Sequence, residues 1–91
     1  MFIIVCYDVP DDRRRNSLAH ILEGYGYRVQ WSVFECELTP VQFKELREKV
    51  TRVVKGDEDG VRYYFLCQDC LSKITIDGLG EVKRDKPFYV V

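Results

Sequence analysis

Residues 2–8, FIIVCYD, constrain this chain more than any other stretch. Phe2, Ile4 and Cys6 share one parity, and Ile3, Val5 and Tyr7 share the other. A strand here is therefore apolar on both sides, the pattern of a strand buried on both faces. Helices can cover one face. In a chain of 91 residues, the natural cover for the other is a second copy of the same chain. A chain this short also buries only roughly 60–65% of the surface it exposes when unfolded, which points the same way. The apolar run stops at Asp8. It is too short to span a bilayer, and it lacks the basic start and cleavage region of a signal peptide. No membrane partner and a cytoplasmic location are expected.

The rest of the chain supplies the helices. Val9-Pro10-Asp11-Asp12 reads as a turn in which Asp11 or Asp12 caps a helix over Arg13–Glu23. Leu18, Ile21, Leu22 and Tyr25 give it one apolar face, and Gly24 and Gly26 end it. Tyr27 to Leu38 is rich in strand formers, but the apolar phase flips near Ser32: Val29, Trp31 and Val33 precede the flip, and Phe34, Cys36 and Leu38 follow it. Such a flip requires a turn or a bulge. Thr39-Pro40-Val41-Gln42 has the cap, first-turn proline and capping-box glutamine of a second helix, with Phe43, Leu46, Val50, Val53 and Val54 as its buried stripe. A polar loop over 55–60 leads to a strand at Val61–Cys67. A short strand is expected near Lys73–Ile76, then a turn over 77–80 and a last strand-like tail at Pro87–Val91.

The order β-α-β-β-α-β is the ferredoxin-like pattern. The expected class is α+β: a single domain over 1–91, a ferredoxin-like sandwich in which two helices cover one face of an antiparallel sheet, with residues 79–91 as a C-terminal extension carrying a short extra strand. The open apolar face predicts a symmetric homodimer.

Composition narrows function mainly by exclusion. A chain 46% hydrophobic and 13% aromatic is not a disordered one. Fourteen Lys and Arg against fifteen Asp and Glu give a net charge of −1, so any nucleic-acid role must rest on a local basic patch. Cys6 and Cys36 lie in apolar strand-like runs and read as small hydrophobes. Cys67 and Cys70 form a Cys-x-x-Cys pair, which is half a zinc site. The single histidine, His20, sits on a predicted helix, and a thioredoxin-like pair would open a helix after a strand, whereas here Asp69 stands between the two cysteines. Structural cysteines are favoured over a metal or redox site.

The strongest chemical feature is Tyr7-Asp8-Val9-Pro10-Asp11-Asp12-Arg13-Arg14-Arg15. A carboxylate ending a central strand is costly unless a charge pairs with it. Asp8 either caps the following turn or pairs with an arginine, or it serves a metal. One carboxylate per chain is a poor magnesium site, and two Asp8 residues across a two-fold axis would suffice. Arg13, Arg14 and Arg15 oppose the dipole of the helix they open. Either they grip phosphates or they pair with Asp11 and Asp12. Arg28 lies between Tyr27 and Trp31, a mixture that suits nucleic acid, although strand parity places Trp31 in the core. The loop after the first strand is acidic and lacks glycine, which argues against the anion loop of an acylphosphatase.

Two segments carry a family resemblance. Tyr7-Asp8-Val9-x-Asp-Asp-x-Arg-Arg, followed by Gly26-Tyr27-Arg28-Val29-Gln30-Trp31-Ser32-Val33-Phe34-Glu35, resembles the small CRISPR adaptation protein of the second Cas family (Cas-two). The strand Val61–Cys67 and the turn Ile76-Asp77-Gly78 resemble it too. The resemblance covers nearly the whole chain. It implies a ferredoxin-like homodimer whose sheets face each other, with the tail at Pro87–Val91 adding to the partner's sheet. It implies spacer acquisition, in which the protein bridges dimers of the CRISPR integrase and holds incoming duplex DNA. It also implies an endonuclease on RNA or double-stranded DNA that uses Mg²⁺ (or Mn²⁺). By the resemblance Asp8 is the metal ligand, given once by each subunit to a single shared ion, and Tyr7 joins it in the catalytic site. Arg15, Arg28 and Phe34 are the nucleic-acid contacts it implies, and the arginine run itself adds Arg13 and Arg14 as candidates. The alternative is a non-catalytic scaffold that binds nucleic acid within the same adaptation complex.

Overall fold

The computed structural model describes residues 1–83. β1 (Phe2–Asp8) is the centre of a four-stranded sheet, flanked by β3 (Val33–Glu37) and β4 (Gly60–Leu66), with β2 (Tyr27–Gln30) outside β3. Each neighbouring pair is antiparallel, and the order is β2-β3-β1-β4. Ile3 and Val5 stand opposite Cys36 and Phe34 on one side and Phe65 and Tyr63 on the other. This parity is the core face. Helices α1 (Asp12–Glu23) and α2 (Pro40–Val53) cover it with Leu18, Leu22, Leu46 and Val50, all buried.

Local chemistry explains both helices. Asp11 caps α1 by accepting the Arg14 N–H, and Thr39 and Gln42 form the reciprocal capping box of α2 behind Pro40. Tyr25, just past α1, is fully buried, and the Lys49 ammonium of α2 lies 5.0 Å from its ring. Gly26 is needed for space rather than for an unusual backbone angle. A Cβ there would stand 2.3 Å from the Glu35 carbonyl oxygen and 2.5 Å from Cys36 Sγ.

Ile4, Cys6 and Asp8 follow the opposite parity, together with Val33, Glu35, Arg62, Tyr64 and Leu66. Neither α1 nor α2 packs there, although Phe2, of the same parity, is buried. Tyr64 is 46% exposed, while Ile4 and Cys6 are half-buried. The open apolar face expected from β1 is thus present.

Three expectations change. Trp31 is not in the core: it is 74% exposed, because residues 31–32 form the turn that joins β2 to β3, and strand parity does not extend into a turn. The phase flip near Ser32 is that turn, with a register shift between Arg28 and Gln30. Lys73–Ile76 is not a strand. A short helix, α3 (Gln68–Leu71), follows β4 instead, capped by Cys67 and anchored by the buried Leu71. The Cys-x-x-Cys pair therefore does open a helix after a strand. The chain then reaches the opposite edge of the sheet, where the Lys83 ammonium lies 5.0 Å from the ring of Tyr27. The strand expected at Pro87–Val91 lies outside the described residues. Among the described residues no helix is long and apolar enough to cross a membrane.

Candidate functional site

The site forms at the C-terminal end of β1, where the chain leaves the sheet. Asp8 is the last strand residue and pairs with Gly60 across the β1–β4 ladder. Its side chain follows the open-face parity and is exposed. It lines a groove of about 530 Å³ with Cys6, Tyr7, the 56–60 loop and Arg62. Arg62 is the cation of this groove. Its guanidinium donates to the Tyr64 hydroxyl at 3.2 Å, and that bond raises its pKa further. Sequence reading missed Arg62, although its place two residues before Tyr64, on the parity of Asp8, carried the signal.

Tyr7 points the other way. Its ring is buried and stacks on Phe34 at 6.3 Å, and its hydroxyl donates to the Trp31 carbonyl at 3.3 Å. Its backbone N–H donates to the Ser32 carbonyl at 3.1 Å. The β2–β3 turn is thereby tied to the residue next to Asp8. The Arg28 guanidinium stands 5.2 Å from the Phe34 ring and 5.6 Å from the Trp31 ring. Tyr7, Arg28 and Phe34 form one cluster on the helix side of the strand end, and Asp8 lies on the open side.

The three arginines at the start of α1 differ. Arg13 is exposed and makes no ion pair among the described residues. Arg14 is engaged: Nε and a terminal nitrogen grip Asp59 at 2.8 and 3.1 Å, with Asp11 and Glu58 nearby. Asp59 has no solvent-exposed side-chain surface and also accepts the Lys55 N–H at 2.8 Å. The guanidinium bond holds the Asp59 carboxyl below its usual range and raises the Arg14 pKa in return. This pair fastens the 55–60 loop, one wall of the Asp8 groove, to α1. Arg15 folds back onto the Val9 and Pro10 carbonyls and the Asp12 carboxylate.

The cysteines divide as well. Burial, then the neighbouring Glu35, pushes the Cys36 thiol up to about 12. Cys67 is exposed, and the Cys70 N–H donated to its sulfur lowers its pKa.

Among the described residues, no three His, Cys, Asp or Glu side chains of one copy converge as a metal site. Asp8 is a hard oxygen donor open to the face that a second copy would cover. The donor chemistry fits a Mg²⁺-type ion, provided a second carboxylate comes from outside the chain.

Comparison with known proteins places this geometry. Residues 1–74 match the family model described as CRISPR associated protein Cas2. A Synechocystis sp. protein named CRISPR-associated endoribonuclease Cas2 3 is 46% identical over 88 residues, covering 96% of this chain and 94% of its own. The crystal structure of Streptococcus pyogenes Cas2 at pH 6.5 superposes with a TM-score of 0.76 at 31% identity, covering 86% of this chain and all of that one. A chain of a partial Cas6-RT-Cas1–Cas2 complex superposes with a TM-score of 0.73 at 34% identity, covering 82% of this chain and 88% of that one. With the βαββαβ sandwich, the strand-end aspartate and the matching length in place, this chain belongs to the Cas2 family of CRISPR-associated proteins.

Proposed function

We propose that this chain is a metal-dependent endoribonuclease of CRISPR adaptation that works as a homodimer in the cytoplasm. The observation that carries the reading is Asp8: an exposed carboxylate ending the central strand on an uncovered, partly apolar sheet face, beside Arg62. Relatives that bear the name endoribonuclease support RNA as the substrate. The superposed chain of a Cas1–Cas2 complex supports the integrase Cas1 as a partner.

Two Asp8 carboxylates, one from each copy, would hold a single Mg²⁺ or Mn²⁺. When bound, such an ion supplies charge neutralisation at a phosphoryl oxygen and an activated water. The chain's own residues do the rest. Arg62 neutralises phosphate charge on the open face. Arg13, Arg15 and Arg28 present cations around the strand end, with Phe34 backing Arg28. Tyr7 holds the turn and the strand end in register. Arg14 reaches a phosphate only as an extension of its Asp59 pair.

The test compares wild type with Asp8→Asn on single-stranded RNA and duplex DNA, in Mg²⁺, Mn²⁺ or EDTA, with dimerisation checked for both. Expected is metal-dependent RNA cutting that falls at least a hundredfold in the variant. Equal cutting in both proteins would refute the assignment. Nucleic-acid binding without cutting would favour the scaffold alternative.

A further inference from the structure

Trp31 is the chain's single tryptophan and is 74% exposed. Nothing about the turn requires it. Two-residue connections between antiparallel strands favour Gly, Asn and Asp, and a large apolar ring in water gains nothing from the fold.

The backbone that carries the ring is nonetheless held at a fixed place. The Trp31 carbonyl accepts the Tyr7 hydroxyl at 3.3 Å, and the next carbonyl, that of Ser32, accepts the Tyr7 N–H at 3.1 Å. Tyr7 is the immediate neighbour of Asp8. The Arg28 guanidinium stands 5.6 Å from the indole centroid. A guanidinium over one face of the exposed ring leaves the other face for a stacked base, with the cation near its phosphate.

The position argues against a second copy as the occupant. Arg28 stands opposite Phe34, whose buried side chain faces the helices. The cluster therefore belongs to the helix side of the strand end, away from Ile4, Cys6 and Tyr64. It also argues against a duplex, whose bases are already stacked on one another, whereas the bases of a single strand can be splayed onto aromatic side chains.

We propose that Trp31 is a stacking platform for an unpaired base of the RNA strand, set by the β2–β3 turn at the strand end that carries Asp8, and that it directs the chain toward single-stranded substrate. The inference rests on the endoribonuclease reading for its substrate class.

Because there is only one tryptophan, fluorescence of the full chain reads this ring alone. The chain is titrated in EDTA, to prevent cutting, with a single-stranded oligoribonucleotide, the same sequence as a duplex, and an abasic oligomer of equal charge. Expected is quenching by the single strand, at concentrations at least fivefold below those the duplex or abasic oligomer needs. Polarisation of a labelled single strand should show binding weakened about tenfold by Trp31→Ala and largely restored by Trp31→Phe. In metal, Trp31→Ala should raise KM with kcat little changed.

Unchanged emission while polarisation reports binding would overturn the proposal. So would equal binding by Trp31→Ala, or emission that follows protein dilution rather than RNA, which would mean a second copy covers the ring. The arms separate the two readings. Asp8→Asn should keep the quench, so a quench without Asp8-dependent cutting would defeat only the nuclease reading. Asp8-dependent cutting without a quench would defeat only the platform.

Discussion

At the scale of single residues, the decisive group beside Asp8 is another carboxylate, Asp59. It has no solvent-exposed side-chain surface and accepts both nitrogens of the Arg14 fork and the Lys55 N–H. Its pKa in the fold lies below the ordinary 3.8, chiefly through the Arg14 hydrogen bond. A carboxyl whose pKa is depressed on folding adds stability above its unfolded pKa. That stability is lost as pH falls through the depressed value. Asp59→Asn should therefore lower the urea midpoint at pH 7, and the gap from wild type should close as pH drops below the ordinary carboxylate range. A gap of equal size at pH 7 and pH 2 would mean that charge is not what holds the loop. The same pair illustrates what a sequence withholds. Arg14 reads as a free cation at a helix start, and its partner lies 45 positions away, so only the fold reveals the engagement. Asp8 differs: its position, ending an apolar strand, is itself the signal.

At the scale of elements, legibility follows the length and regularity of the pattern. α2 announced itself through Thr39, Pro40 and Gln42, and all three act as expected. The hairpin was legible from the phase flip at Ser32. The parity count that found it also misplaced Trp31, because alternation has meaning only while the chain is extended. α3 gave no signal: it has four residues, and its cap is a cysteine rather than Ser, Thr, Asp or Asn. Gly26 reads from sequence as the end of α1, but its role is to let β2 start against β3. The nearest obstacles to a methyl group there include the Glu35 carbonyl and the Cys36 Cα, which are backbone and cannot rotate away. Gly26→Ala should cost about 1–3 kcal/mol as overpacking, read as a lower unfolding midpoint with an unchanged m-value. Gly56→Ala is the control, since nothing lies within 4 Å of a Cβ there, and it should fall within about 0.5 kcal/mol of wild type.

At the scale of the molecule, the governing feature is β1, a strand apolar on both faces. The helices answer for Ile3, Val5 and Tyr7. Ile4 and Cys6, with Val33, Tyr64 and Leu66 around them, lie on the face that α1 and α2 leave open. The segment leading to Lys83 meets the β2 edge, through Tyr27. A two-fold pairing over this face would also bring one Asp8 from each copy toward the other, and one copy alone assembles no three-ligand cluster among its described residues. If each ion requires both carboxylates, a dimer carrying one Asp8→Asn chain is as inactive as one carrying two. Wild type and Asp8→Asn, mixed in equal amounts and allowed to exchange subunits, should then retain about a quarter of the activity of the same total of wild-type dimers, because about a quarter of random pairs are wild type on both sides. Chains that cut independently would retain about half. Native mass spectrometry of isotope-labelled variant confirms that exchange is complete before cutting is measured. A residual near one half under those conditions would locate the whole site within one chain and remove the reason for the shared ion.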